Sequence, residues 1–179
     1  GEYRTRMIAL AEPDTVDVIE QVGPLHWTDD NNVRHDHFLD HVVFKKDGRR
    51  LGLTDKPYLR VSKEFEKEIK QVCEDGRQLN VIDDLFLVTE FARDPLKLHN
   101  AELFRGCRDA DAEVDVIALM VTDDLVVETT LQNLVDEINR GPRGFRALVR
   151  LIRSGVLQLK NEEKISHETV VMKAEVDHA

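Results

Sequence analysis

The spacing of apolar residues predicts the elements of the first ninety residues. Apolar side chains three or four positions apart indicate a helix, whereas alternating or continuous apolar runs indicate strands. The predicted elements are a helix over 2–12, strands over 16–22, 25–28, 35–44 and 50–56, a helix over 62–74 and a further strand within 79–89. In the first helix Tyr3, Met7 and Leu10 share one face, and Pro13 stops it. Ser62 caps the second helix, which Gly76 ends. This order of elements fits a mixed sheet flanked by helices.

The pattern becomes helical beyond Arg93-Asp94-Pro95, so we place a domain boundary between residues 94 and 95. The predicted domains are therefore residues 1–94 and 95–179. Helices are predicted over 98–105, 112–120, 126–140 and 145–154, followed by an apolar stretch at 156–159 and a returning strand within 166–172. Helices that end in a small hairpin resemble a winged helix-turn-helix, a module that docks on DNA or protein.

Composition indicates a soluble protein that we expect in the cytoplasm. The chain is 41% apolar and 34% charged, and no apolar run approaches the ~18 residues of a membrane span. Cys73 and Cys107 are far apart and fit no metal-binding spacing, which indicates reduced thiols. No signal-peptide pattern opens the sequence. Because the first residue is Gly1 rather than Met, we expect native residues to be missing before it.

The charge of the chain is unevenly distributed. The net charge is −10, which argues against strong DNA binding by the protein alone, because non-specific affinity comes mainly from neutralising phosphates. The segment 140–173 nevertheless carries eight Lys or Arg and three Glu, a net +5, and leaves −15 on the remainder. A basic segment on an acidic body suits a protein that partners help to hold on DNA.

The most informative stretch is the predicted hairpin over residues 37–57. An Asp47-Gly48 turn between apolar runs is a strong hairpin signal. The turn folds the second strand back along the first, and so could bring Asp40 close to Lys56. A carboxylate and an ammonium at one end of a strand pair could together hold a divalent metal and polarise a phosphate.

This hairpin and its surroundings resemble the PD-(D/E)xK nuclease core, and in particular the TnsA endonuclease subunit of heteromeric transposases. His37-Phe-Leu-Asp40 stands where that family has His-x-Pro-Asp, and an apolar strand, an Asp-Gly turn and Lys56-Pro57 follow. Upstream, Glu2 lies eleven residues before Pro13, as the family's helical glutamate precedes its Asp-Pro turn. Downstream, Leu87-Val-Thr-Glu90 and Asn100-Ala-Glu-Leu-Phe104 are similar to the family's closing strand and helix. The resemblance covers residues 2–104.

The resemblance implies an active site and a role for each of its residues. Glu2, Asp40 and Lys56 would be catalytic, with Glu2, Asp40 and Thr54 at a Mg²⁺ ion that Mn²⁺ can replace. Asp40 would bridge the metal to the scissile phosphate, and Lys56 would orient or deprotonate the attacking water and offset charge in the transition state. Thr54 departs from the family, which has an acid or glutamine there. Asp55 points to the opposite face of the strand, and only a bulge would turn it inward.

Two further groups of side chains carry alternatives. His35, His37 and His41 share a strand face and His26 lies nearby, but no further ligand completes a zinc site. His37 is better explained as the family's motif histidine near DNA.

Basic residues on the last predicted helix form the second group. Four arginines recur at three- and four-residue spacing and form a stripe that contacts DNA phosphate, an acidic partner or only solvent: Arg143, Arg146, Arg150 and Arg153. Four acids form a helix-start cluster rather than a metal site: Asp109, Asp111, Glu113 and Asp115.

We therefore expect an α/β restriction-endonuclease-like domain followed by a small helical, winged-helix-like domain. The resemblance implies a metal-dependent DNA endonuclease that nicks one strand at transposon ends. Its partners would be DNA, a second transposase subunit and an ATP-dependent regulator, with no membrane. Thr54 sustains the alternative of a non-catalytic DNA- or protein-binding adaptor with the nuclease fold. A third alternative is a stand-alone repair or restriction nuclease, which would cut supercoiled plasmid without a partner.

Overall fold

A computed structural model describes residues 1–174 of the chain, which divides into two compact units after Asp94. The last five residues of the predicted second domain, 175–179, lie outside the described residues. The first unit contains two α-helices, α1 and α2, and one four-stranded sheet. Its elements are α1 (Glu2–Ala11), β1 (Thr15–Thr28), β2 (Arg34–Lys45), β3 (Arg50–Asp55), α2 (Lys63–Gln78) and β4 (Asp84–Val88), with 3₁₀ turns at Tyr58–Arg60 and Glu90–Ala92.

The sheet has the strand order β1-β2-β3-β4. β1 and β3 are antiparallel to β2, whereas β4 is parallel to β3. The predicted hairpin is confirmed: β2 pairs with β3 from Phe44–Arg50 to His41–Leu53, and Gly48 adopts a positive φ of 87° in the turn. The α/β class with a mixed sheet and flanking helices is thereby confirmed.

Strand β1 corrects the prediction of two separate strands. It runs without a break from Thr15 to Thr28 against β2, and the register shifts between Thr15 and Asp17 and again between Val22 and Leu25. Bulges of this kind let one long strand bend and stay paired. Gly23 and Pro24, which separate the two predicted strands, lie within the second shift.

Helix α2 covers the core of the first unit. It starts at the predicted cap, where Ser62 Oγ accepts a hydrogen bond from Phe65 N at 3.2 Å. Its buried Val72 packs with a cluster of buried residues from β1, β2 and the segment before β4: Leu25, Leu39, Val42 and Ile82. The prediction that Gly76 ends the helix is wrong, since α2 continues to Gln78. The predicted strand over 79–83 is also wrong, because β4 begins only at Asp84.

Helix α1 has a buried face that differs from the predicted one. Met7 is buried, but so is the polar Thr5, while Tyr3 is 54% exposed. The hydroxyl of Thr5 is satisfied by side chains from elsewhere in the unit, which removes the cost of burying it.

The second unit combines helices with a small sheet. Its elements are α3 (Pro95–Gly106), α4 (Ala112–Asp123), β5 (Thr129–Thr130), α5 (Leu131–Ile138), α6 (Pro142–Ser154), β6 (Leu157–Leu159) and β7 (Val170–Lys173). β7 lies between β5 and β6 and is antiparallel to both. The core joins all four helices to this sheet and includes Val114, Leu134, Leu148 and Val171.

The predicted helix over 126–140 is wrong at both ends. Thr130 caps α5, because its hydroxyl accepts a hydrogen bond from Asn133 N at 3.2 Å, and the preceding residues pair with β7. At the other end Asn139 adopts a left-handed conformation, which closes the helix. Among residues 1–174, no helix is long and apolar enough to cross a membrane.

Candidate active site

The start of α1, the middle of β2 and the end of β3 meet at one corner of the first unit. The ladder between β2 and β3 stops at His41 and Leu53, and beyond it Asp40 Oδ2 accepts a hydrogen bond from the backbone amide of Asp55 at 2.6 Å. The buried His41 donates from Nε2 to the carbonyl of Glu2 at 3.1 Å. The fold therefore ties the Asp40 carboxylate to the end of β3, and the backbone of Glu2 to the neighbouring residue His41.

Lys56 follows directly after β3. Its backbone amide donates to Val88 O at 2.9 Å and so extends the pairing with β4. Its ammonium lies 3.9 Å from the centre of the Phe65 ring on α2, a cation–π contact that holds the charge without neutralising it. The Lys56 ammonium thus lies on the α2 side, one residue from the amide that Asp40 binds.

Thr54 faces α2 as well. Its side chain is buried, and its hydroxyl lies 3.2 Å from His37 Nε2. His37 Nδ1 donates to Glu68 Oε1 at 2.8 Å, so a neutral ring accepts the Thr54 proton at Nε2. The structure thus places Thr54 in a chain of hydrogen bonds with His37 and Glu68, away from Glu2. As a metal ligand it would have to leave this chain.

Asp55 points the other way, towards α1, as strand alternation requires. Its Oδ1 accepts from the Thr5 hydroxyl at 2.8 Å and pairs with the guanidinium of Arg93. Arg93 Nε also donates to Thr5 Oγ1 at 3.2 Å. The Asp55 side chain is only 6% exposed, and among residues 1–174 its Oδ2 is buried without a hydrogen-bond partner. A buried carboxylate oxygen of this kind is costly unless a cation or water reaches it.

The corner provides donors suited to a hard cation, although they are not assembled into a complete site. Within the described part of the chain, no three His, Cys, Asp or Glu side chains form a group able to hold a metal. Carboxylate oxygens are nevertheless what Mg²⁺ prefers, and this ion usually keeps several waters. The unpartnered Oδ2 of Asp55 belongs to the residue whose amide binds the Asp40 carboxylate, and it is an acceptor that a hydrated divalent cation would suit. Asp40 and Asp55 would hold such an ion; Glu2 does not complete a three-acid group with them, and the Thr54 hydroxyl is bound to His37.

The histidines have other partners than a metal. His26 Nδ1 lies 2.9 Å from Asp36, and His35 Nε2 lies 3.1 Å from Asp29 while its ring stacks on Trp27. With His37 and His41 hydrogen-bonded as described, the strand-face zinc arrangement is not present among residues 1–174.

The four arginines of α6 lie in the second unit, where they contact α3, α4 and the segment between them. Arg143 forms a bidentate pair with Asp111 at 2.8 and 2.9 Å and reaches Glu113 at 3.0 Å. These contacts hold the pKa values of both carboxyls below their usual range and raise the pKa of Arg143. Arg150 contacts Asp115 and Cys107 O, and Arg146 contacts Gly106 O. Arg153 lies over the Phe104 ring.

Those contacts bear on the predicted roles of both charge groups. Asp111 caps α4 by accepting from Val114 N at 3.4 Å, as expected for a helix-start acid. Arg143 and Arg150 pair with these acids, so phosphate at either would have to compete with an ion pair, whereas Arg146 contacts a carbonyl and Arg153 an aromatic ring. DNA binding by the stripe stays a prediction.

Sequence reasoning missed Thr5 and Arg93, the two residues that hold Asp55. Thr5 gave no signal, because it lies on the side of the predicted helix opposite Tyr3, Met7 and Leu10. Arg93 gave none, because it contacts Asp55 from 38 positions away.

Comparison with known proteins adds no relative. No protein-family model matches the sequence, and no curated protein is significantly similar to it. The class that the fold defines is an α/β unit with a mixed four-stranded sheet, joined to a second unit of helices and a small sheet.

Proposed function

We propose that this protein is a TnsA-like DNA endonuclease subunit of a heteromeric transposase, which nicks one strand at transposon ends. The observation that carries the proposal is the corner itself. Asp40 accepts a hydrogen bond from the amide of the residue before Lys56, and the backbone carbonyl of Glu2 accepts one from His41, the residue after Asp40. The strand order agrees with a restriction-endonuclease-like core, because an antiparallel hairpin is followed by a helix and a parallel strand.

The second unit agrees with a winged-helix-like domain. From α4 onward the order is helix, strand, two helices and two strands, and the three strands form one antiparallel sheet. A winged helix-turn-helix has this kind of composition and docks on DNA or protein. In the proposed complex this unit would contact the second transposase subunit, the ATP-dependent regulator or DNA.

Each residue at the corner has a distinct part in the proposed reaction. Mg²⁺, when bound, would offset charge on the scissile phosphate and lower the pKa of an attacking water. Asp40 and Glu2 supply the negative oxygens that attract a cation to the corner. The ammonium of Lys56, which lies over Phe65, can swing to the phosphate and stabilise the charge that develops in the transition state.

A specific observation favours a second candidate, the non-catalytic adaptor. The position two before Lys56 is Thr54, whose hydroxyl is bound to His37, and Asp55 is neutralised by Arg93. Both contacts are those of a corner that stabilises the fold instead of binding a metal. An adaptor would use the same two units to bridge DNA and its partners.

A Mn²⁺ titration followed by thermal unfolding separates the two candidates. At a concentration 100 times its Kd, a ligand adds about 2.7 kcal/mol of stability, which raises Tm by several degrees for a unit of this size. The nuclease predicts such a shift in the wild type and its loss in Asp40→Ala. The matched control is Asp47→Ala, an exposed acid in the turn of the same hairpin, which should keep the shift.

Nicking of supercoiled plasmid with the partner subunits present then tests the reaction itself. The nuclease predicts activity that Asp40→Ala and Lys56→Ala abolish and Asp47→Ala retains. No shift in any variant, together with no nicking, would support the adaptor. Nicking without partners would instead support a stand-alone nuclease.

A further inference from the structure

Arg93 stands at a particular place in the chain. It follows the 3₁₀ turn Glu90–Ala92 and is the penultimate residue of the first unit, which ends at Asp94. From there its side chain, only 14% exposed, reaches back to Asp55 at the end of β3 and to Thr5 on α1. The segment that leaves the first unit is thus tied to the candidate active site through one guanidinium.

The contact between Arg93 and Asp55 leaves one oxygen of the Asp55 carboxylate without a partner among residues 1–174. Thr5 and Arg93 both bind Oδ1, while Oδ2 has no partner among residues 1–174 and is shielded from solvent. A guanidinium can bind both oxygens of a carboxylate in parallel, but here it uses only one. The second oxygen is left as an acceptor for a cation, close to the Asp40 carboxylate that binds the Asp55 amide.

We propose that Arg93 is an internal counter-cation that masks a divalent-metal site formed by Asp55 and Asp40. This inference rests on the proposed nuclease function and deepens it, since it states how the site is regulated. When Arg93 withdraws, Asp55 is left with an unneutralised charge, one freed lone-pair direction on Oδ1 beside the Thr5 hydroxyl and the unpartnered Oδ2, and a divalent cation takes the place of the guanidinium. Because Arg93 lies one residue from the boundary between the units, a partner that moves this segment would unmask the site.

The two cations cannot both neutralise Asp55. A buried carboxylate tolerates a single close positive charge well, whereas a guanidinium and a divalent ion in contact with it would repel each other. Metal affinity and the Arg93 contact are therefore coupled through competition, and coupling of this kind changes affinity by about 5- to 150-fold.

Direct Mn²⁺ binding, followed by electron paramagnetic resonance of the free ion, tests the proposal without any need for cleavage. Arg93→Gln should bind Mn²⁺ at least about tenfold more tightly than the wild type, and Arg93→Gln with Asp55→Asn should lose that gain. Arg49→Gln is the matched control, because Arg49 is an exposed arginine paired with an acid in the same unit. It should bind as the wild type does.

Equal Mn²⁺ affinity in folded Arg93→Gln and wild type would overturn the proposal, as would a gain that persists without Asp55. Should Arg93→Gln fail to fold, Arg93→Lys serves instead, since its shorter point charge cannot make the same two contacts. Arg93→Lys should gain less Mn²⁺ affinity than Arg93→Gln, and Asp55→Asn should remove that gain as well. If Arg93→Gln gains Mn²⁺ affinity but the protein does not nick DNA, the nuclease proposal is refuted and the masked metal site is retained. If the protein nicks DNA and replacement of Arg93 has no effect, the masked site is refuted and the nuclease is retained.

Discussion

Replacement of Gly76 by alanine tests how tightly α2 packs on the sheet. In an exposed helix interior, alanine in place of glycine stabilises by about 1 kcal/mol, because glycine loses more backbone entropy on folding. At Gly76 an added Cβ would lie 2.7 Å from Ile82 Cγ1 and 2.9 Å from Ile82 Cδ1, with Leu25 Cδ1 at 3.1 Å. Ile82 is itself buried and cannot turn away freely.

The overlap should outweigh the gain in helix propensity. Overpacking a dense core costs about 1–3 kcal/mol, so Gly76→Ala should lower the free energy of unfolding of the first unit by about 1 kcal/mol. The measurement is urea unfolding followed by fluorescence of Trp27, the single tryptophan, which packs against the same core cluster and therefore reports on this unit.

Two variants make the test specific. Gly106→Ala in α3 meets nothing within 4 Å and, followed by circular dichroism, should be neutral or slightly stabilising for its own unit. Gly76→Ala combined with Ile82→Ala should cost less than the sum of the two single changes, because the new methyl group fills part of the space that Ile82 leaves. A Gly76→Ala protein that is more stable than the wild type would refute the close packing of α2 on Ile82.

Three further predictions concern caps and ion pairs. Asn100→Ala should destabilise the second unit by about 2–4 kcal/mol in chemical unfolding, because its buried amide donates to a loop carbonyl and accepts from Ile165 N, both at 2.9 Å. Ser62→Ala should cost the first unit about 1 kcal/mol by removing the α2 cap, again by Trp27 fluorescence. The pKa values of Asp111 and Glu113 are lowered by their contacts with Arg143, so the folded unit binds fewer protons than the unfolded chain near pH 4. Its Tm should therefore fall as pH drops below about 5, and Arg143→Gln should flatten that dependence.

Local signals were sufficient for the elements that frame the site. The Asp-Gly turn and its flanking apolar runs predicted the β2–β3 hairpin, and Ser62 predicted the start of α2. Each of these depends on residues within a few positions, so the sequence carries the signal directly. Gly76 shows where that fails, because a glycine that usually marks a helix end is used here for close approach to Ile82.

The internal partners of the charged residues could not be predicted in the same way. Arg143 to Arg153 were identified as a stripe, but the aspartates that pair with Arg143 and Arg150 lie more than 30 positions away. The pairing depends on how α6 packs against the start of α4. Periodicity locates a face of a helix, but it does not identify what packs against that face.

The family that the sequence resembles has an acid or glutamine where this chain has Thr54. Strand geometry shows which face and which partners that difference affects. An acid two positions before Lys56 would point towards α2, where His37 and Glu68 already lie; Thr54 instead gives His37 a neutral hydroxyl partner. The acid of this chain stands one position later, at Asp55, and alternation turns it to the α1 side, where Arg93 neutralises it. A shift of one residue thus moves the carboxylate to the other face of the strand and changes the group that balances its charge. In the proposed nuclease, a divalent cation would therefore have to displace Arg93 from Asp55 before Asp55 and Asp40 could bind it together.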